Sequence, residues 1–343
     1  MYIFKKVEFI MIKKLLKHRP VQKIRIFWGL MILSLGMSVQ VKAQNNFAIT
    51  VLTGGTSGVY YPLGVVLAKI YGDNLPSAKI SVLATKASVE NLLMLQKSEG
   101  EIAFATADTV SLAWFGNQAA GFPEKLTKLR GIASIYPNYI HIVARADSNI
   151  KTIADLKGKR VSVGALESAT EVNARTVFAA ANITYKDLAK VEYLPFGNSV
   201  KMMLNNEIDA TIQSAGLGVS SINDLSNSLP IRIISVPTEI TAKIKDPAYI
   251  ASIIPAGTYQ NQNYAVPTIA ITNLVVTRSD VTIDQVYNFT KLIFENLSEL
   301  QHAHSAMANI QSQHMIEGMP IPFHPGALKY FQEKGWTIPS VQR

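Results

Sequence analysis

The chain has 343 residues, of which 33 are Lys or Arg and 24 are Asp or Glu, and it contains no cysteine. The lack of cysteine excludes disulfides, thiolate catalysis and cysteine-ligated zinc. The formal net charge of +9 is concentrated at the N-terminus, because residues 1–43 hold nine basic residues and one acid. The other 300 residues carry 24 basic and 23 acidic side chains, and this balance provides no basic face for nucleic acid.

The N-terminal segment has the three parts of a secretory signal. Eight basic residues within residues 1–25 precede a mostly apolar run of 14 residues, IFWGLMILSLGMSV. The sequence VKA then ends at Ala43, so residues 1–43 are predicted to be a cleaved signal peptide and the mature protein to be periplasmic. A membrane anchor is the alternative, but the run is shorter than the roughly 20 residues that a spanning helix needs. The long basic region leaves open whether Met1 or Met11 is the start.

After the signal, short β-branched runs alternate with helix-length amphipathic segments. The runs FAITVL and VYYPLGVVLAKIY are followed by KISVLA and SVENLLMLQ, and then by EIAFAT and GIASI. This alternation predicts an α/β fold with a mainly parallel sheet. Pro62 is compatible only with the first turn of a helix, which sets the start of the first helix close to Gly58.

The pattern restarts in the middle of the chain, where IADLKGKRVSVG predicts a helix, a glycine turn and a strand, and ESATEVNARTVFAAAN predicts another helix. A weak internal echo links residues 88–108, SVENLLMLQKSEGEIAFATAD, with residues 199–216, SVKMMLNNEIDATIQSAG. Each segment has a helix, an acidic turn, a buried strand and then small residues. The sequence therefore predicts two lobes of related build.

The C-terminal helical segment, which includes IDQVYNFTKLIFENLSEL, is expected to complete the first lobe. Strands that cross between the lobes are expected near Ile135–Tyr139 and Tyr264–Ile269. The predicted boundaries are 44–137 for the first part of lobe I, 138–266 for lobe II and 267–343 for the completing part of lobe I.

The turn GGTSG at residues 54–58 indicates a binding site. It lacks the lysine of a phosphate-binding loop, the spacing of a dinucleotide fingerprint and the G-x-S-x-G spacing of a hydrolase elbow. What remains is the helix N-terminus, whose free N–H groups and dipole favour an anion. Thr56 and Ser57 either cap this helix or donate to a ligand. Ser168 and Thr170 are a second pair of hydroxyl residues at a helix start, in lobe II. Two facing helix starts favour a ligand held between the lobes.

The histidines and acids lack the spacing of a metal site. His302 and His304 lie two residues apart, on different faces of a predicted helix. His324 is expected to be a structural or surface loop residue, and His141 a hydrogen-bonded core residue. The acids show no calcium-loop spacing, and no nucleophile lies beside a candidate base. The sequence predicts neither a metal ion nor a cofactor.

Collinear motifs occur along nearly the whole mature chain. They are GGTSGVYYPLG (54–64), ASVENL (87–92), TAD (106–108), ASIYP (133–137), DLKGKRVSVG (155–164), TEVNAR (170–175), IPAGTY (254–259), ENLSEL (295–300) and GMPIPFHPGA (318–327). Together these motifs resemble the TAXI-type solute-binding proteins of TRAP (tripartite ATP-independent periplasmic) transporters. The resemblance implies a periplasmic protein of the two-lobe type II periplasmic-binding fold, expected to be a monomer. Such a protein binds a small solute without catalysis and delivers it to membrane-embedded, cation-coupled permease subunits.

The same resemblance implies a set of cleft residues that follow strands of both lobes. Where the family usually has Gly-Ser-Gly-Thr-Glu, this chain has Glu167 and Ala169 in place of the glycines. Ala169 resists the positive φ that glycine allows, which predicts a reshaped turn, and Glu167 adds negative charge near the anion site. The implied ligand-binding residues are Gly55, Thr56, Ser57, Tyr60, Ser88, Glu90, Asn91, Asp108, Tyr136, Ser168, Thr170 and Glu171, together with Ser214 and Gly216.

Charge indicates the class of solute. Helix N-termini suit a carboxylate, whereas Glu90, Asp108 and Glu171 would repel a purely anionic solute unless one of them meets a positive group. This argument favours glutamate or glutamine. The alternative is that the acids cap helices or pair with Lys86 and Arg175, and a plain dicarboxylate would then fit. The alternative functions are an exported α/β enzyme acting on a small anionic substrate and a periplasmic solute sensor of the same fold.

The signal sequence yields the first prediction. The exported protein is expected to begin at or near Gln44, because VKA ends a short apolar core. N-terminal sequencing or intact mass of the exported protein measures this. An uncleaved N-terminus in the membrane fraction would contradict it.

Overall fold

The computed structural model describes residues 47–338, so the predicted signal peptide and its cleavage site lie outside the described residues. The strands are β1 (Phe47–Leu52), β2 (Ala78–Leu83), β3 (Ile102–Thr106), β4 (Leu129–Arg145), β5 (Arg160–Ser162), β6 (Lys190–Glu192), β7 (Ala210–Ala215), β8 (Ile231–Ile234), β9 (Ile250–Ile254) and β10 (Val266–Arg278). The helices are α1 (Tyr60–Asn74), α2 (Ser88–Gln96), α3 (Ala107–Phe115), α4 (Ala169–Ala180), α5 (Phe196–Leu204), α6 (Ser220–Ser228), α7 (Thr238–Thr241), α8 (Ile283–Glu295), α9 (Leu297–Ala303) and α10 (Pro325–Glu333). Within residues 47–338, no helix combines the length and apolar character needed to cross a bilayer.

The described strands form one sheet in the order β2-β1-β3-β10-β4-β7-β5-β6, with β8 paired to β4 and β9 paired to β10. β1 runs parallel to β2 and β3, and β5 runs parallel to β6 and β7. At the centre, the long strands β4 and β10 are antiparallel to each other and to their outer neighbours. The sheet thus joins two parallel sets through an antiparallel pair, and the predicted α/β class is confirmed.

Two halves of the molecule are defined by these parallel sets. We call β1–β3 with α1–α3 and α8–α10 the first half, and β5–β9 with α4–α7 the second half. The central strands β3 and β7 are buried along their full length, as expected for strands covered on both faces. Each lies between a parallel neighbour and one of the long crossing strands. The internal echo in the sequence therefore corresponds to equivalent positions in the two halves, while the predicted lobe boundaries stay a prediction.

The C-terminal helical segment packs on the first half, but it is not one continuous helix. The rings of Tyr71 in α1 and Phe289 in α8 lie 5.4 Å apart, centre to centre. Asn296 interrupts the segment with φ −112° and ψ 27°, and it separates α8 from α9. Its side-chain amide donates to the carbonyl of Leu292 at 2.8 Å. Asparagine competes with the helix in this way by bonding to the backbone, and the chain turns there.

His141 is a satisfied core residue, as the sequence predicted. It lies in β4, fully buried, with Nδ1 3.3 Å from the carbonyl oxygen of Gln213 and Nε2 2.9 Å from the hydroxyl of Tyr259. Burial disfavours the charged imidazolium and lowers the pKa of His141 from 6.5 to about 4. This shift makes the stability of the fold depend on pH.

We expect His141→Gln to reduce that dependence. Between pH 6.5 and about 4, the unfolded chain takes up a proton that the folded protein refuses, so the free energy of unfolding falls as pH decreases through this window. The loss from this one group is roughly 3 kcal/mol at most. Urea unfolding at about pH 7 and about pH 4.5 measures it. The wild type should lose more stability than the variant between these conditions, and an equal loss would contradict the assignment.

Candidate functional site

A cleft lies where the carboxyl ends of the two parallel strand sets meet. The loops after β1 and β2 line one side. The loops after β5 and β6 and the end of β7 line the other, and Tyr136 and Asn138 of β4 also contribute. The empty space, including the part open to solvent, is about 750 Å³. Ligands of open α/β sheets bind in this position, outside the carboxyl ends of the strands. The other lining residues are Gly54, Gly55, Ser57, Gly58, Val59, Tyr60, Thr85, Lys86, Ala87, Ser88, Ala165, Ser168, Ala169, Thr170, Pro195, Phe196, Ser214 and Ala215.

Four helices begin at this cleft, α1 and α2 from the first half and α4 and α5 from the second. The N-cap residues of α1, α2 and α5 are Val59, Ala87 and Pro195, and none of them makes a side-chain capping hydrogen bond. Only α4 is capped by a side chain, because the Ser168 hydroxyl accepts from the backbone N–H of Glu171 at 3.3 Å. Three helix starts therefore lie at the cleft without a side-chain cap. In the first turn of α2, the Glu90 N–H already donates to the carbonyl of Glu167 at 3.1 Å.

Ser214, at the end of β7, offers an unsatisfied hydroxyl in the same cleft. The residue is 5% exposed, and among the described residues its Oγ has no hydrogen-bond partner. Its backbone N–H donates to Oγ1 of Thr170 at 3.3 Å, which ties β7 to the first turn of α4. A buried polar atom without a partner is destabilising, so a ligand atom that bonded to Ser214 would remove this cost.

A chain of hydrogen bonds connects the two sides of the cleft through the crossing strands. The Tyr60 hydroxyl donates to Oδ1 of Asn273 in β10. The Asn273 amide donates to Oδ1 of Asn138 at 2.8 Å and to the carbonyl of Tyr136 at 2.9 Å. The Asn138 amide then donates to the carbonyl of Ser214 at 3.0 Å. These bonds use the polar atom of Tyr60, and burial raises the pKa of its phenol well above the usual range.

The structure brings together eight of the fourteen residues that the sequence proposed for the site. The eight lining residues come from both halves and from β4. Their contact with a ligand remains a prediction. They are Gly55, Ser57, Tyr60, Ser88, Tyr136, Ser168, Thr170 and Ser214. The other six, Thr56, Glu90, Asn91, Asp108, Glu171 and Gly216, are not among the lining residues.

Two of the acids expected to meet a ligand are engaged within the protein. Oε2 of Glu90 accepts from the backbone N–H of Lys86 at 2.5 Å. Glu171 forms an ion pair with Arg175 at 2.8 Å, and its other carboxylate oxygen accepts from the Tyr185 hydroxyl at 3.0 Å. This is the arrangement that the sequence analysis left open as the alternative to an ammonium partner, and whether either acid contacts a ligand stays a prediction.

Asp108 connects the two halves at a point outside the cleft lining. It is fully buried in the first turn of α3. Its Oδ2 accepts from the Asn173 amide at 2.6 Å and from the Tyr249 hydroxyl at 2.8 Å, and both partners belong to the second half. Burial raises the pKa of Asp108 above its usual value. The residue serves as a contact between the halves in this structure.

Asn91 is buried behind the residues that line the cleft. Its amide donates to the carbonyls of Thr53 at 2.7 Å and Phe104 at 2.8 Å, and its Oδ1 accepts from the Thr85 hydroxyl at 2.7 Å. These bonds fix the loops that follow β1 and β2. Asn91 therefore positions lining residues rather than lining the cleft itself.

Thr56 and Gly216 also lie outside the lining. Thr56 is exposed to solvent in the glycine turn. A Cβ on Gly216 would lie 2.9 Å from the ring of Tyr136 and 2.6 Å from Cβ of Ala306. The position therefore requires glycine because the Tyr136 ring and α9–α10 connection pack directly against it.

The sequence analysis predicted a reshaped turn before α4, because Ala169 resists a positive φ. Ala169 is the first residue of α4, and it is not among the described residues with a positive φ. The positive φ, 63°, falls on Glu167. Oε2 of Glu167 lies 2.5 Å from Nζ of Lys86, and its carbonyl accepts from the backbone N–H of Glu90 at 3.1 Å. Both bonds cross the cleft from the second half to the first, and they stabilise a conformation that is unfavourable for a residue with a Cβ.

Several lining residues were missed by the sequence reasoning, among them Lys86, Asn138 and Phe196. The internal echo contained a signal for Phe196, since it aligned the α2 segment with residues 199–216 and so implied a second helix start just before Ser199. No local pattern marked Asn138, a single amide in an apolar strand. The His324 ring caps α10 by accepting from the Gly326 N–H at 3.1 Å, which confirms a structural role. Among the described residues, no group of three His, Asp or Glu side chains is placed to hold a metal ion.

Two solved structures with a TM-score above 0.5 share this architecture. The periplasmic binding protein BugD aligns with 85% of this chain and 99% of its own, with a TM-score of 0.56 and 10% identity. A protein described as a periplasmic transporter aligns with 76% of this chain and 87% of its own, with a TM-score of 0.52 and 13% identity. The MOPS-bound alkanesulfonate-binding protein SsuA from Xanthomonas axonopodis pv. citri covers 84% of this chain and 80% of its own, with a TM-score of 0.44 and 17% identity. The fold is that of periplasmic binding proteins.

A family model identifies the chain more directly than these distant structures do. The model of the NMT1-like family matches residues 51–335, a range that contains every residue lining the cleft. The chain belongs to the NMT1-like family.

Proposed function

We propose that this protein is the extracytoplasmic solute-binding subunit of a membrane transporter and that it captures a small carboxylate-bearing solute between its two halves. The observation that carries the proposal is the convergence of four helix starts, two from each half, on one cleft. The cleft also holds the Ser214 hydroxyl, which has no partner within residues 47–338. The solute would lie among the eight lining residues that the sequence analysis proposed.

The electrostatics of this cleft suit a negative group. Each helix N-terminus stabilises an anion by about 0.3–1 kcal/mol where exposed and by up to about 2 kcal/mol where partly buried. The donors are backbone N–H groups and a hydroxyl, so the site can bind an acid group without a buried cationic side chain. Release of the solute to a permease is compatible with such modest individual contributions.

The two halves are arranged to close on a ligand. Only the crossing strands β4 and β10 join the parallel sets within the sheet. Contacts across the cleft include the Lys86–Glu167 ion pair and a hydrogen bond from the Ser220 hydroxyl to the carbonyl of Ser57 at 3.1 Å. Periplasmic binding proteins close by hinge motion about such connections. We propose that the halves correspond to lobes with boundaries near residues 137 and 266.

The partner proposed for this subunit is a TAXI-type TRAP permease. The support is the set of collinear motifs along the mature chain, whereas the fold and the family are compatible with other kinds of transporter. The neighbouring reading frames test this choice. A multi-span protein without an accompanying ATPase supports a TRAP permease, and an ATPase would exclude it while leaving solute binding in place.

The solute class follows from the partners of the acids. The sequence argument favoured glutamate or glutamine, but Glu90 and Glu171 have partners within the protein, and Asp108 lies outside the lining. The proposal therefore rests on the carboxylate and not on an ammonium group. An exported enzyme is the alternative, and it would convert its ligand, whereas a binding protein returns the ligand unchanged.

Native mass spectrometry of protein purified without refolding is expected to show one retained solute per chain. Saturating carboxylate should also raise the melting temperature by mass action and decrease the radius of gyration in small-angle scattering. Ser214→Ala is expected to weaken binding about tenfold, since a hydrogen bond to a charged group contributes about 1.5 kcal/mol or more.

The matched control is Ser228→Ala, at the exposed end of α6, where the hydroxyl bonds only to the carbonyl of Asp224. Its affinity should equal that of the wild type. Turnover of the ligand, or binding with no preference for acids over neutral amides, would contradict the proposed function. An unchanged radius of gyration would argue against closure alone.

A further inference from the structure

The lining of the cleft carries one charge, and an ion pair neutralises it. Of its twenty lining residues, Lys86 is the only one with a charged side chain. The Lys86 ammonium lies 2.5 Å from the carboxylate of Glu167, which comes from the opposite side of the cleft. Both side chains are about half exposed, 50% and 47%, so the pair lies at the solvent edge. A ligand in the described arrangement therefore meets an ion pair and not a free cation.

A second acid group on the ligand would have no matched partner. The helix starts and Ser214 can serve one carboxylate with neutral donors. Another carboxylate would have to share those donors or approach the Lys86–Glu167 pair, where Glu167 repels it. Burying a charge without a paired partner is costly. A positive group is equally unsupported, because none of the twenty lining side chains is acidic.

The walls of the cleft are largely apolar. Ala87, Ala165, Ala169 and Ala215 present methyl groups, and Phe196 extends from the start of α5 toward the glycine turn. A Cβ on Gly58 would lie 3.9 Å from the Phe196 ring, so the ring covers that turn from the opposite side. Such walls favour the apolar body of a ligand, since burial of apolar surface stabilises a complex in proportion to the area removed from water.

The aromatic residues add to this apolar surface. The Tyr60 hydroxyl is used by Asn273, and its ring stacks on Phe104 with the centres 5.2 Å apart. Tyr136 packs edge-on against Tyr60 at 6.5 Å. Tyr60 therefore offers ring carbon atoms rather than a free phenol to the cleft.

From these observations we infer that the cleft selects a small monocarboxylate with an apolar body, and that Glu167 determines this choice by neutralising Lys86. The inference rests on the proposed solute-binding function and specifies its ligand. Glu167 is a specificity-determining residue in this arrangement. Glu167 has a positive φ, which glycine would adopt with less strain. Its ion pair with Lys86 offsets this strain.

A charge-matched ligand series tests the inference. Phenylacetate carries one carboxylate, phenylglycine adds an ammonium group to the same skeleton, and phenylmalonate adds a second carboxylate. Calorimetry on protein shown to be ligand-free by native mass spectrometry should give an affinity for phenylacetate at least about tenfold higher than for the other two. Isovalerate, L-valine and isopropylmalonate repeat the comparison with an aliphatic body. A preference for phenylmalonate, phenylglycine, succinate or L-glutamate overturns the inference.

Variants of the ion pair test the role of Glu167. Glu167→Gln frees the Lys86 ammonium, so the preference for phenylacetate over phenylmalonate should shrink by about fivefold or more. The double variant Lys86→Gln with Glu167→Gln removes a pair that has no net charge, so it should change phenylacetate affinity by less than about threefold. A larger loss would show that Lys86 itself binds the ligand. The control is Glu295→Gln, which removes an ion pair with Lys334 of similar exposure, 43% and 42%, on α8, and should leave the preference unchanged.

The outcomes separate this inference from the proposed function. Tight one-to-one binding of succinate or L-glutamate without turnover leaves a solute-binding protein and overturns the monocarboxylate preference. Turnover of any ligand, or no binding of any member of the series by folded, ligand-free protein, overturns both.

Discussion

The antiparallel pairing of β4 with β10 is the contact on which the rest of the molecule depends. It places two parallel strand sets side by side so that their carboxyl ends face a common cleft. In a parallel set, the helix that follows each strand begins at that same edge, and the cleft therefore collects helix N-termini by topology. The amides of Asn138 and Asn273 bond to each other within this pair and carry the connection on to Ser214. Backbone pairing and cleft geometry are thus set by the same two strands.

The polarity of the cleft depends on helix starts that have no side-chain cap. Natural helices usually begin with Ser, Thr, Asp or Asn, whose side chains satisfy the first N–H groups. Val59, Ala87 and Pro195 cannot do so. The polarity of the site is therefore supplied by the backbone, which carries partial charges in fixed directions and has no side-chain entropy to lose on binding. For this reason, one small cleft can have apolar side chains as its lining and still present backbone N–H donors in fixed directions.

The sequence predicted those features that depend on local pattern. The alternation of strands and helices, the equivalence of the α2–β3 and α5–β7 segments and the placement of Ser57, Ser88 and Ser168 at helix starts required only short-range signals. The partners of the charged residues were not predictable in this way. Asp108 and Tyr249 are 141 positions apart, and Lys86 and Glu167 are 81 apart. Whether an acid faces a ligand or a distant base depends on packing that no local spacing records, so the sequence left both arrangements open.

The order of the strands in the chain also differs from their order in space, and this has a consequence for how the protein acquires its structure. The pairs β5–β6, β5–β7 and β4–β7 form within one stretch of the chain, so the second half can begin to assemble as soon as that stretch is available. Phe104 in β3, by contrast, pairs with Val275, and the ring of Tyr71 packs against that of Phe289. Contacts that are distant in sequence form slowly. The first half, although synthesised earlier, therefore keeps one edge of β3 unpaired until the C-terminal quarter of the chain arrives. Any factor that holds this protein unfolded should therefore act on its N-terminal strands.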